Sequence, residues 1–256
     1  MTIIEVRSRQ DWKLFHAVPH RIFRNNQVWI CPLESDVEKI FNPATNKTYE
    51  HGEAKLFVLL DEQNRPAGRI AAFLDHERNE QQEFPTGGIG FFQCVDNQDY
   101  AFALFGKAEE FLLSRGVKAI DGPINFGERD KFWGLLVQGF EQPPIYQENY
   151  HSPYYRAFFE AWGLRPYEQI LTLKGKILDV PIDRFKTLAN RVRERYGLTA
   201  RLIELHKLDQ YAADFSQVYN EAFKQFPYFK SLSAEQILQI FRQSKTIMDP
   251  NLICFA

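Results

Sequence analysis

The chain has 256 residues, 45% apolar and 25% charged, a balance that excludes wholesale disorder and collagen-like or low-complexity architecture. Lys plus Arg is 31 against 33 for Asp plus Glu, so the net charge of −2 lacks the global positive field of a nucleic-acid coat or a polybasic membrane binder. The outlying figure is aromatic content, 15% with 23 Phe against two Met, which asks for a large ring-rich core.

Residues 2–8 read as a short strand. Residues 11–25 carry Trp12, Phe15, Ile22 and Phe23 at helical spacing, and LESDVEKIF at 33–41 is a second short helix ended before Pro43. The apolar runs at 54–61 and 68–75 are strands, joined as an antiparallel hairpin by the Asn- and Pro-containing DEQNRPA. GGIGFFQCV at 87–95 is a further strand. Asp99 is expected to cap a helix over 100–115 that turns Leu104, Ala108, Phe111 and Leu112 inward, with Gly116 at its C′ position. A strand at 117–123 follows at once, and strand–helix–adjacent strand is a βαβ unit with parallel strands.

Asn125 with Glu128 three residues on has capping-box spacing and predicts a helix there. Ser152–Pro153 predicts a helix start, Gly163 its end, and 167–178 a strand. From 179 the text changes to a polar-faced connector helix over 179–198, with Asp183 as its N-cap and a basic run that reads as a solvated face. Beyond it LIEL at 202–205 echoes IIEV at 3–6. Tyr211 and Phe215 then echo Trp12 and Phe15, Ser233 and Gln236 have capping-box spacing, and NLICFA at 251–256 resembles the opening of AKLFVLLD. The expected organisation is a domain at 1–178, the connector, and at 199–256 the opening of a second copy that roughly 100 further residues would complete.

Cys31, Cys94 and Cys254 are far apart and read as reduced thiols of a cytoplasmic protein. The N-terminus has no signal-peptide pattern, and the longest apolar runs, such as Leu56 to Leu60, fall far short of the ~20 residues of a membrane span. His16 and His20 share i,i+4 spacing, but Pro19 lies between them and no third ligand is evident, so no metal site is expected.

The element order resembles that of the GCN5-related N-acetyltransferase (GNAT) fold. The likeness is carried by KLFVLLDEQNRPAGRIAAF, GIGFFQCVDNQDYAFALFGKAEEFLLSRG, KAIDGP and YYRAFFEAWGLRPYE, and covers about residues 1–178; HGEAKLFVLLDEQNRPAGRIAAF and GPINFGERDKFWGLLVQGF also resemble a group of uncharacterised bacterial GNAT-like proteins. The resemblance implies an α/β fold, a mixed twisted sheet flanked by helices, followed by the first elements of a second such unit. It also implies acyl transfer from an acyl-CoA, acetyl-CoA or longer, to a small-molecule or peptide amine, with no metal, nucleic acid or membrane.

On this resemblance the candidate catalytic residues are Glu128 and Asp130, as base, and Tyr155. Gln93, Cys94 and Asn97, at the end of the strand 87–95, are cofactor-binding candidates; Asn125 and Arg129, in the polar stretch after AIDGP, and Tyr150 and His151, in the aromatic and polar loop YQENYHSPYY at 146–155, are substrate-binding candidates. Two positions depart from the family pattern. The diphosphate loop, normally Q/R-x-x-G-x-G/A, is here VDNQDYAFA at 95–103, with Asp96 and Asp99 and no glycine. Phe159 stands four residues before Gly163, where many members carry a Tyr proposed as general acid. A non-catalytic binding protein on a GNAT scaffold is therefore the alternative reading.

Overall fold

A computed structural model describes residues 1–80, 82–226, 229 and 231–256. The chain forms two units, Met1–Leu171 and Thr172–Ala256.

In the first unit, β1 (Thr2–Glu5) leads into α1 (Arg9–Phe23) through a capping box: the Ser8 hydroxyl accepts from the Asp11 N–H while the Asp11 carboxylate accepts from the Ser8 N–H. α2 (Glu34–Ile40) follows, then β2 (Gly52–Leu60), β3 (Pro66–Asp75), the single turn α3 (His76–Asn79), β4 (Thr86–Cys94), α4 (Gln98–Leu113), β5 (Ala119–Asp121) and α5 (Tyr155–Trp162). The five strands lie in sequence order; every neighbouring pair is antiparallel except β4–β5, which is parallel. This is the mixed α/β sheet expected from the resemblance, with the expected element order through β5 and α5.

Both faces of the sheet are covered, so the central strands are apolar on both sides rather than alternating. β4 shows this directly. Phe91 packs into a cluster with Phe15, Val18, Val37 and Phe41 from the α1–α2 side, while Phe92 packs with Leu104, Phe105 and Phe159 on the α4–α5 side. The rings meet mostly edge-to-face or tilted, as aromatic quadrupoles prefer, for example Phe92 against Phe159 at 5.3 Å and 88°. Phe159 is thus a core ring.

Local expectations fail where longer-range contacts intervene. The N-cap of α4 is Asn97, whose side chain accepts from the Tyr100 N–H, and Asp99 lies in the first turn. No helix follows Asn125: Gly127 at φ +130°, Phe132 at +48° and Gly134 at +83° are incompatible with one, and the chain between β5 and α5 is irregular. Residues 167–178 are exposed and contain only a short 3₁₀ turn at Ile177–Asp179 instead of a strand. α5 starts at Tyr155, two residues after Pro153, and ends as expected at Gly163, in the left-handed region at φ +102°.

The second unit contains α6 (Ile182–Tyr196), which begins after Pro181 rather than at Asp183, then β6 (Arg201–Leu202), α7 (Leu208–Phe223), α8 (Ala234–Ser244) and β7 (Cys254–Phe255). α8 opens with the expected Ser233–Gln236 capping box. β6 pairs antiparallel with β7 around two helices packed over Ile203, Leu208 and Tyr211, which repeats the strand–helix–helix–strand opening of the first unit. Among the described residues no helix is long and apolar enough to cross a membrane.

Candidate functional site

The site forms where β4 leaves regular pairing. Arg69 faces Gln93 across the β3–β4 ladder, but Ala71 faces Gly90, so two steps along β3 match three along β4. That is a β-bulge, and Phe91 takes φ +52° within it. On its other edge β4 pairs with β5 only from Thr86 to Gly88. The chain leaving β5 then crosses close by. The Ile124 N–H donates to the Ile89 carbonyl at 2.8 Å, and a Cβ on Gly90 would lie 2.0 Å from the Ile124 oxygen, which accounts for glycine there.

Beside the bulge is a small cleft that opens to solvent. Its polar lining is Arg69 from β3, Gln93 from β4, and Glu148, Asn149, Tyr150 and His151 from the irregular segment before α5; Phe91 and Phe132 are among its apolar walls. Arg69 is 4% exposed. Its guanidinium lies 4.6 Å from the Phe15 ring and donates from Nη1 to the Phe15 carbonyl, its Nε has no partner, and burial lowers its pKa to about 10. Gln93 is 8% exposed and its Oε1 has no partner.

His151 is buried, and burial pushes its pKa down to about 3, so it is neutral at pH 7. The Leu136 N–H donates to its Nδ1 at 3.0 Å, which leaves the ring proton on Nε2 and makes that nitrogen a donor. Partial burial raises the Glu148 carboxyl above its usual value of 4.5. The Tyr150 hydroxyl is already engaged, donating to the Phe140 carbonyl and accepting from Asn26 Nδ2.

Gln93, Tyr150 and His151, singled out from the sequence, therefore meet in one cleft. The others lie elsewhere. The backbone of Cys94 is held by α5, its N–H donating to the Tyr155 hydroxyl and its carbonyl accepting from the Tyr154 hydroxyl, both at 2.9 Å. The Cys94 thiol is buried, and burial first and Asp96 second push its pKa up to about 12. Asn97 caps α4. Glu128, Arg129 and Asp130 are exposed, with Arg129 paired to Glu168. Asn125 is buried, donates to the Glu128 carbonyl and lines a different, smaller cleft with Asp75 and Thr86.

Arg69 and Glu148 were not singled out from the sequence. The available signal for Arg69 was a lone cation inside the apolar run AGRIAAFL; Glu148 carries no local signal.

His16 is buried against Glu38 and His20 is exposed beside Cys31, so the two histidines share no partner. Among the described residues His51, Asp75 and Glu77 place ligand-type atoms within 4.8 Å of one another, and each ring nitrogen of His51 already faces a carboxylate oxygen.

No family model matches the chain. It is 26% identical over 260 residues to a bacterial ceramide synthase from Caulobacter vibrioides, covering 100% of this chain and 66% of that protein. It is 25% identical over 250 residues to Protein YghO from Escherichia coli, covering 97% of this chain and 63% of that protein. The chain thus spans slightly less than two thirds of the length of these curated relatives. Among solved structures it is similar to an aminoglycoside antibiotic 6'-N-acetyltransferase from Acinetobacter baumannii, with 12% identity over 69% of this chain and 98% of that chain and a TM-score of 0.39. The first unit is thus a mixed α/β unit, a five-stranded sheet flanked by helices with one parallel pair, as the resemblance to the GNAT fold leads one to expect.

Proposed function

We propose that the first unit transfers an acyl group from a thioester of the acyl-CoA type, acetyl-CoA or longer, to the nitrogen of a small-molecule or peptide amine. The observation that carries this reading is the bulged β4 beside a parallel β5 that stays with it for only three residues, Ala119–Asp121. The bulge takes β4 out of regular pairing next to a cleft that holds a proton acceptor and a neutral hydrogen-bond donor, the two groups an acyl transfer to an amine uses. The relative named bacterial ceramide synthase supports the reading, because a ceramide is an N-acylated amine.

The division of labour follows from the protonation states. An amine attacks only when unprotonated, and Glu148, its carboxyl pushed upward by partial burial, is suited to take its proton. The Nε2–H of His151 is suited to donate to the carbonyl oxygen as it gathers charge. The C–N bond forms as the C–S bond breaks, and the thiolate leaves to take up a proton. Glu128 and Asp130 are base candidates on an exposed loop, and Tyr155 contributes by holding the β4 backbone. The three free thiols suit the cytoplasm.

The residues fit the acyl end of such a donor and not a standard grip on its diphosphate. Asn97 uses its side chain to cap α4, and Asp96 and Asp99 flank the helix start where a diphosphate needs close backbone approach and positive potential. No step is routed through that end. The same feature, with the Tyr154 and Tyr155 hydroxyls covering the Cys94 backbone, favours a second reading as a non-catalytic binding protein.

Thiol release from acetyl- and palmitoyl-CoA in the presence of an amine panel tests the reading. We expect release that falls ~100-fold or more in Glu148→Gln. No release with any pair, together with no calorimetric heat on adding either thioester, would leave the binding reading.

A further inference from the structure

We propose that the cleft beside the β4 bulge is built for a molecule carrying a carboxylate next to its amine, an amino-acid-type head whose carboxylate is held by Arg69 and whose amine lies against Gln93. The role of that molecule as acyl acceptor rests on the acyl-transfer reading; its binding does not.

Among the described residues only three buried side-chain N or O atoms have no hydrogen-bond partner: Arg69 Nε, Gln93 Oε1 and Asn125 Oδ1. Folded interiors leave few such atoms, and each asks for an explanation. The first two belong to residues directly opposite each other in the β3–β4 register, and both line the same cleft. Cross-strand partners project from the same face of a sheet, about 5 Å apart at Cβ. Both atoms are closed off from solvent, and the side chains that carry them, a cation and a neutral amide, form adjacent parts of the cleft wall.

Arg69 is the stronger half of the argument. A buried guanidinium is ordinarily matched by a carboxylate, yet among the described residues none pairs with it. Its contacts, the Phe15 ring and the Phe15 carbonyl, orient the fork without neutralising the charge. The missing anion is thus expected from outside the chain. A carboxylate suits better than a phosphate dianion, because the lining supplies one permanent cation and also the Glu148 carboxyl, which would oppose a second negative charge. Gln93 Oε1 accepts from an ammonium or amine, and an amine there shares the cleft with Glu148. Phe91, Phe132 and Trp29 make the remaining walls apolar, which suits an aliphatic or aromatic side chain on the bound molecule.

Titrating the full chain with L-phenylalanine, L-leucine, L-phenylalaninamide and 3-phenylpropionate by calorimetry or ligand-observed NMR tests this without any substitution. We expect saturable binding of the two amino acids, ~10-fold or more tighter than the amide, which lacks the charge, and tighter than 3-phenylpropionate, which lacks the amine. Equal binding of the amide, or no saturation by either amino acid up to about 10 mM, overturns the proposal. Arg69→Lys, which keeps the charge and loses the fork, should weaken amino-acid binding ~10-fold. Should that variant not fold, Gln93→Met should shrink the preference for L-phenylalanine over 3-phenylpropionate, and an unchanged preference counts against the assignment. Thiol release separates the two readings. Amino acids that bind but never release thiol from a thioester defeat acyl transfer and leave this site standing. Release as fast with phenethylamine as with L-phenylalanine defeats the carboxylate-bearing molecule as acyl acceptor and leaves acyl transfer.

Discussion

The Tyr155 hydroxyl accepts the backbone N–H of Cys94 at 2.9 Å, and this bond ties α5 to β4 beyond the point where β4 has parted from β5. Both groups are buried. Removing the hydroxyl leaves the N–H without a partner, so Tyr155→Phe should lose about 1–3 kcal/mol of stability. A shift of the urea midpoint with unchanged slope checks this.

His151 gives a pH signature. Its folded pKa, about 3, lies below the ordinary 6.5, so the folded state binds fewer protons than the unfolded chain between those values. The stabilisation is present above about pH 6.5 and is lost as pH falls toward 3, at up to ~1.4 kcal/mol per pH unit from this one group. His151→Asn keeps an acceptor for the Leu136 N–H and does not titrate; its unfolding free energy should fall less steeply between pH 6.5 and 4 than that of the parent.

Glu148 predicts an acid limb. A carboxylate base works unprotonated, and burial raises this one, so turnover should drop on acidification at a pH above the ordinary 4.5. Glu148→Gln should cut turnover by ~10²–10⁴ while leaving the fold as stable or more so, because a partly buried charge is removed. Glu128→Gln and Asp130→Asn change exposed side chains and should cost less turnover. A larger loss at Glu128 would move the base to the loop.

The start of α4 makes a fourth prediction. If a diphosphate approaches there, Asp96→Asn should strengthen acyl-CoA binding by ~2–5-fold at low salt, an effect that fades as salt is added. Asn97→Ala should cost about 1 kcal/mol of stability by removing the cap. Calorimetric titration at two salt concentrations, with thermal unfolding alongside, reads both effects.

How much was legible in advance depended on the range of the interactions involved. The capping box at Ser233 and Gln236 and the left-handed end at Gly163 need only neighbours within one helical turn, and both are present. The strands at 52–60, 66–75 and 86–94 were legible because an apolar run of that length between turn residues has few other ways to be buried. Asn125 and Glu128 had the same kind of local spacing and form no helix, because the left-handed residues that follow direct the backbone across the sheet.

Of the candidate site, Gln93, Tyr150 and His151 were legible from polar density at a strand end and in an aromatic loop. Arg69 and Glu148 were not, because their meaning depends on what surrounds them: a guanidinium in an apolar strand is ordinary until its partners are known. Sequence alone was enough to specify the order of elements through β5, the parallel strand pair and a ring-rich core, which follow from periodicity, turn chemistry and hydrophobic burial. Tertiary contacts decided the bulge at Phe91, the Cys94 backbone held by Tyr154 and Tyr155, and the unfilled pair of Arg69 and Gln93. These depend on register and on the satisfaction of buried polar groups, properties that arise only when distant segments meet.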